Sequence, residues 1–186
     1  MELTREQEQL LENVIENVHQ EVPTNPSIGV DTETLRFSGA SWFEKIKTTT
    51  VLLAGCGGIG SYVAFFLARV QPFKIILFDP DYMEEVNMAG QLFSKQDVGA
   101  PKVVSTSRRL KDYSNYYNTD VFICEYSESS PAQDIMICGF DNMLARKIFF
   151  YNWKARVFKK MAEGEDTSEM LFIDGRIKCL INCLYK

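Results

Sequence analysis

Apolar residues come along this chain in two rhythms, short unbroken runs and longer stretches at helical spacing. The short runs are Val51 to Ala54, Lys74 to Phe78, Asp120 to Cys124, Asp134 to Cys138 and Leu171 to Asp174. Such continuity suits strands covered on both faces. Between them the spacing predicts three helices: Ile59 to Val70; one opening at Lys102 with Val103, Val104 and Leu110 on its apolar side; and Met143 to about Lys160, where Leu144, Ile148, Phe149, Trp153 and Phe158 are expected to pack on the sheet. Nearer the start, Thr4 and Gln7 have capping-box spacing, and Leu10, Leu11, Val14, Ile15 and Val18 follow at helical intervals. Val22 to Asp31 reads as a loop, Thr34 to Lys47 as a second short helix with Trp42, Phe43 and Ile46 inward, and Ile177 to Tyr185 as a further strand. No internal repeat is present.

Chemistry enters at the turn after the first run. Gly55, Gly57 and Gly60 in GCGGIGS, with Gly58 between them, form GxGxxG directly after a strand and at the opening of a helix, the context that gives this motif meaning. Gly55 permits a tight reversal, Gly57 lets a phosphate approach bare backbone, and Gly60 lets the helix pack close on the strand. The helix N-terminus adds free N–H donors. Asp79, at the end of the second strand, stands where a carboxylate accepts from ribose hydroxyls. Together these predict a Rossmann-like, mostly parallel sheet with helices on both faces and a bound nucleotide. The alternative is a glycine turn kept only for packing.

Ligands in such folds bind at the carboxyl ends of strands, so the polar connection PDYMEEVNMAGQLFSKQDVGAPK is the next place to look. Asp81, Asn87, Gln91 and Lys102 are its residues able to hold metal or phosphate, whereas Glu84 and Glu85 read as solvent-facing. The fourth run ends in Gly139-Phe140-Asp141-Asn142, which aims Asp141 at the same crevice as a magnesium or nucleotide ligand, or makes it a helix N-cap. Arg36, upstream of the glycine turn, is either a guanidinium over phosphate or a surface ion-pair partner.

Composition narrows the classes. The chain has 186 residues, 46% hydrophobic and 24% charged, with a net charge of −5; that suits one globular domain and argues against a broad nucleic-acid or anionic-membrane surface. The apolar stretch Val51 to Ala68 is long enough to tempt a membrane-span reading, but its glycines and the acidic strand end fit a buried α/β core better. Glu2, Arg5, Glu6 and Glu8 interrupt any hydrophobic N-terminus, so no targeting segment is expected. Cys56, Cys124, Cys138, Cys179 and Cys183 suggest reduced thiols in a cytoplasmic setting. His19, the only histidine, reads as a helix-end solvent residue.

Four segments, GCGGIGS at 55–61, DPDYMEEVNMAGQ at 79–91, VGAPK ending at Lys102 and CGFDN at 138–142, resemble the ThiF/MoeB family, whose fold ubiquitin-activating enzymes share. The resemblance covers about Arg36 to Arg176. It implies ATP on the glycine turn (Gly55, Gly57, Gly58, Gly60, with Asp81, Gln91 and Asn142 nearby), ribose on Asp79, phosphates on Asn87, Lys102 and Arg36, and Mg2+ on Asp141. It further implies attack by the C-terminal carboxylate of a small ubiquitin-like or sulfur-carrier protein, or a peptide, giving an acyl-adenylate and pyrophosphate, and a homodimer. On this reading 1–47 is a helical extension packed on an adenylation domain at 48–186, and the chain is truncated relative to longer members. Two family arginines are replaced, by Gly90 and Gly39, with Arg108 and Arg109 as possible compensation. Those losses keep a catalytically inactive nucleotide-binding scaffold as the alternative, with an NAD-dependent oxidoreductase third.

Overall fold

Strand 51–54 and its neighbours form the layer on which everything else is laid. In the computed structural model, which describes residues 35–37 and 39–175, five strands run in parallel: β1 (Thr50–Ala54), β2 (Lys74–Phe78), β3 (Thr119–Phe122), β4 (Ile135–Cys138) and β5 (Leu171–Asp174). Their order is β3-β2-β1-β4-β5. The chain therefore winds outward in one direction through β2 and β3, then returns past β1 to build β4 and β5. This places a topological switch point between β1 and β4.

Alternation along the strands assigns each face its own core. Val51, Leu53, Ile75 and Leu77 point to one face, where α2 (Gly60–Val70) and α3 (Lys102–Ser114) cover them with Ala64, Ala68, Val103 and Leu110. Leu52, Ala54, Ile76, Phe78, Met136 and Cys138 point to the other, against Phe149 of α4 (Met143–Glu163). The period of two sorts the side chains, and helices on both faces explain why β1, β2 and β4 are apolar beyond their first residues. A short α1 (Ser41–Ile46) leads into β1, burying Phe43.

Four expected core residues are exposed. Trp42 and Val104 are each one helical step from the buried Phe43 and Val103 and turn outward, and Leu144 and Phe158 also stand in solvent. Length accounts for Phe158: the 21 residues of α4 run about 31 Å, while the four of β5 span about 13 Å, so the helix overshoots the sheet. Leu144 lies at the mouth of the crevice described below. The strand expected from Asp134 starts at Ile135; the Asp134 carboxylate is held by Arg156 and Lys160 of α4, and its backbone carbonyl accepts from Leu171 N–H of β5 at 2.9 Å.

The expected helix at 4–18, His19, the loop at 22–31, Arg176, and the strand at 177–185 with Cys179 and Cys183 lie outside the described residues. The described residues 36–37 and 39–175 belong to one compact unit. No helix among the described residues is long and apolar enough to cross a membrane.

Phe149 is fully buried and meets the rings of Tyr126, Phe140 and Phe172 at 4.7, 5.6 and 5.9 Å. Phe149→Ala should lower unfolding stability in urea by about 3–5 kcal/mol; a loss under about 1 kcal/mol would mean that α4 is not docked through this side chain.

Candidate functional site

Glycine backbone builds the site. Gly55 leaves β1 at φ 93°, and a Cβ there would stand 2.7 Å from the Gly139 carbonyl carbon. A Cβ on Gly60 would overlap the Gly55 carbonyl oxygen. The first turn of α2 has no side-chain cap, and the N–H groups of Gly57, Gly58 and Ile59 find no acceptor among the described residues. Unpaired N–H groups at a helix start form an anion-binding nest.

Around that nest lies a crevice of about 390 Å³ at the carboxyl ends of β1, β2 and β4, the switch point of the sheet. Gly55, Gly57, Gly58, Asp79, Asp81, Gln91, Asp141 and Asn142, all singled out from sequence, line it. Tyr126, Phe140 and Ile148 supply its apolar wall. Tyr126, Phe140 and Glu125 escaped sequence reasoning, and Ile148 was expected only to pack on the sheet, since a side chain near a strand end carries no local sign of facing a ligand.

Asp79 is 5% exposed. One of its oxygens accepts the Cys56 N–H at 2.6 Å and the other the Asp81 N–H at 2.8 Å, so it locks the glycine turn to the end of β2. Burial pushes its carboxyl up, against the pull of those two donors and of Lys102. Burial and the neighbouring Asp79 charge likewise push the Cys56 thiol up, leaving an inert packing residue.

Gln91 stands over the turn. A Cβ on Gly57 would meet only its Nε2, at 4.0 Å, while its Oε1 is buried without a partner. The space over Gly57 is thus what a side chain would take from a phosphate. Asn142 is the N-cap of α4, accepting from Leu144 N–H at 2.8 Å; Asp141 does not cap and points free and exposed into the crevice.

The remaining expected residues sit elsewhere. Gly60 is a packing contact rather than part of the lining. Lys102 is 7% exposed and its Nζ donates to Asp81 at 2.8 Å, so it stands behind an acid that faces the crevice. The Asn87 side chain closes a capping box with Glu84. Arg36 is exposed and outside the lining. Arg108 and Arg109 both bind Asp97 and so do not compensate for Gly90 or Gly39. Four carboxylates, Asp79, Asp81, Glu125 and Asp141, line the crevice, and no Lys or Arg does.

Asp97 is fully buried and also accepts from the Ser94 N–H and hydroxyl. It anchors the connection that carries Gln91, whose next residue, Leu92, donates its N–H to Ser61 Oγ of α2 at 3.0 Å. Ser94-x-x-Asp97 has near-capping-box spacing, a signal that could have found it.

Among the described residues no three metal-binding side chains gather. Mg2+ ordinarily takes one or two carboxylates and completes its shell with water and substrate phosphates, so Asp141 suits a Mg2+ that arrives with a polyphosphate.

Residues 31–182 match the ThiF family. Over 103 residues the chain is 35% identical to ubiquitin-like modifier-activating enzyme 5 of Drosophila pseudoobscura pseudoobscura, covering 55% of this chain and 24% of that protein. E. coli MccB, in a crystal structure with ATP, aligns with TM-score 0.57 and 26% identity over 73% of this chain and 40% of its own. E. coli tRNA N6-threonylcarbamoyladenosine dehydratase, TcdA, aligns with TM-score 0.61 and 18% identity over 78% of this chain and 60% of its own, a likeness of fold. The matched stretch thus covers about a quarter of the length of the modifier-activating relative.

Burial pushes the Asp97 carboxyl up, but the Ser94 N–H, Arg109, the Ser94 hydroxyl and Arg108 more than reverse this and hold it well below the usual carboxylate range. A depressed acid stabilises the fold above its unfolded pKa of about 3.9, and that contribution fades as pH falls toward the folded value. The urea midpoint should drop on acidification below about pH 4, and Asp97→Asn should flatten that slope while lowering stability at neutral pH. An unchanged slope would mean that Asp97 does not anchor the connection.

Proposed function

The chain belongs to the ThiF family, and from that premise we propose that it binds ATP and adenylates the C-terminal carboxylate of a small ubiquitin-like or sulfur-carrier protein, or of a peptide. The observation that carries the reading is the open nest at Gly57–Ile59 facing Asp79, Gln91 and Asp141 in one crevice at the switch point. The relatives named above for modifier activation and for ATP support it.

In this reading the N–H groups of Gly57, Gly58 and Ile59 hold phosphate oxygens, and the Gln91 amide closes over them. Asp79 uses the lone pairs left by its two backbone donors for the ribose hydroxyls. Tyr126, Phe140 and Ile148 shelter the base. Asp141 holds Mg2+, which when bound neutralises phosphate charge. Lys102 reaches phosphate by leaving Asp81, and Asn87 by opening its capping box.

The acceptor carboxylate attacks the α-phosphorus. A new oxygen–phosphorus bond forms, the bond to the β-phosphate bridge breaks, and pyrophosphate departs with the electron pair. No proton moves, so the site needs positioning and charge neutralisation rather than a general base. That suits a crevice without histidine in its lining.

The lining of four carboxylates and no cation also favours a second reading, an inactive nucleotide-binding scaffold. The two differ in where positive charge comes from: the enzyme needs a cation at the α-phosphate, from Lys102 once it leaves Asp81 or from a second copy in a cytoplasmic homodimer, while the scaffold needs only the Mg2+ that accompanies ATP. An NAD-dependent oxidoreductase leaves Asp141 and the modifier-activating likeness unexplained, and is set aside. The division into an extension at 1–47 and an adenylation domain at 48–186 is part of this proposal.

Calorimetry should find ATP binding that disappears with EDTA, because carboxylates facing a polyphosphate repel it until Mg2+ intervenes, and Asp79→Ala should abolish it. With an acceptor in hand, Asp141→Ala should cut ATP–pyrophosphate exchange by about 10²–10³-fold, the scale of losing one charge-stabilising group. Exchange at the wild-type rate in Asp141→Ala would sink the metal assignment, and tight ATP binding with no exchange for any acceptor would favour the scaffold.

A further inference from the structure

After Glu125 and Tyr126 the chain leaves the crevice wall in a turn at 127–130, and that turn hangs on one side chain. Asn152 of α4 is partly buried and stands one helical turn beyond Ile148, on the stripe from which Leu144 and Ile148 line the crevice. Its Nδ2 lies 3.1 Å from the Tyr126 hydroxyl, 3.0 Å from the Ser127 carbonyl, 3.3 Å from that of Glu128 and 3.4 Å from that of Ser130. Two N–H groups thus serve four oxygens. Within the turn, Ser130 N–H binds the Ser127 carbonyl and Ser127 N–H binds Ser130 Oγ, but among the described residues only Asn152 ties it by hydrogen bonds to a helix. Without that amide, four acceptors would face one another with no donor between them.

Tyr126 is 4% exposed, and its ring meets those of Phe78 and Phe149 edge-on at 5.3 and 4.7 Å. Apolar contact is non-directional, so the rings confine Tyr126 without fixing how deep it sits. The hydroxyl settles the depth. It donates to the Pro131 carbonyl at 3.0 Å while accepting from Asn152. Burial pushes the phenol up, so it keeps the proton that it donates. The wall of the crevice is therefore pinned from a residue that does not itself line it.

We propose that Asn152 is a positioning residue for the nucleotide base: through the Tyr126 hydroxyl and the carbonyls of the turn it sets the depth of the Tyr126 wall, touching no ligand. This rests on the ATP reading above and adds to it a residue outside the lining. Its effect is selective. The nest at 57–59 is shaped by backbone contacts among Gly55, Gly60 and Gly139, which do not involve Asn152, so loss of the amide moves the base wall and leaves the phosphate site in place.

The test uses the full chain and calorimetry with Mg2+, titrating ATP and, separately, inorganic tripolyphosphate, which has no base. Asn152→Ala should weaken ATP about tenfold, the worth of about one net hydrogen bond, and leave tripolyphosphate as in the wild type. Asn152→Leu has the same branching but donates nothing, and should lose as much; rescue by Leu would mean that the residue only packs. Tyr126→Phe keeps the ring and the carbonyl bonds, and should fall between wild type and Asn152→Ala. Unfolding midpoints matching wild type make the variants comparable, with Tyr126→Phe deciding if the Asn152 variants do not fold. Unchanged ATP affinity, equal losses of ATP and tripolyphosphate, or rescue by Asn152→Leu would overturn the proposal. If the wild type does not bind ATP, the ATP reading falls and takes this proposal with it; ATP binding that survives Asn152→Ala removes the proposal alone.

Discussion

Three stretches of backbone meet at the switch point with no room for a side chain between them. Gly60 lies on the Gly55 carbonyl, and Gly55 lies on Gly139, so the end of β1, the start of α2 and the end of β4 hold one another directly. A Cβ at either of the first two positions would have to displace main chain, since its nearest neighbours are backbone atoms rather than the ends of flexible side chains. From this contact the crevice takes its shape. Turning so tightly, the chain leaves the N–H groups of Gly57, Gly58 and Ile59 outside any helix ladder, and Asp79 joins β2 to the arrangement through the Cys56 N–H. The site is built before any ligand arrives.

Much of the neighbouring positive charge serves the fold. Asp97, with no exposed surface, would be costly to ionise alone, because a buried charge loses its hydration. Two guanidinium groups and two Ser94 donors make it tolerable. Those arginines lie on the helix that follows the connection bearing Gln91, so the pairing holds that connection against α3. Lys102 is likewise engaged, on Asp81. The residues with the most evident phosphate chemistry in sequence are the ones the structure uses to fasten the rim.

That distinction marks how far the sequence could be read. Strands 74–78 and 171–174 were legible to the residue because unbroken apolar runs bounded by polar residues define their own ends. The crevice lining was legible wherever a residue sits beside a strand end, as Gly57, Asp79 and Asp141 do, since topology alone delivers such positions to the switch point. Lys102 and Arg108 were not, because a cation's partner lies far off in sequence and composition cannot reveal which acid claims it. Trp42, Val104, Leu144 and Phe158 failed for a related reason: helical spacing defines a face, while burial depends on whether another element reaches that face. Tyr126 and Phe140 left no periodic trace at all.

The charge inventory of the crevice bears on how a nucleotide would be used there. A helix N-terminus offers the equivalent of about half a positive charge, and against it stand four lining carboxylates, one of them paired with Lys102. A polyphosphate adds more negative charge to the same space. Pairwise repulsion of unit charges at about 4 Å is about 4 kcal/mol even at an effective dielectric of 20, so a nest of backbone dipoles does not settle the balance by itself. Neutralisation must come from outside the lining, through a metal carried in with the phosphates and, for chemistry at the α-phosphorus, a further cation at the mouth. Gly90 and Gly39 leave that cation to Lys102, once released from Asp81, or to another protein chain. Whether this fold turns over or only binds therefore depends less on the glycine turn, which is intact, than on what supplies positive charge beside it.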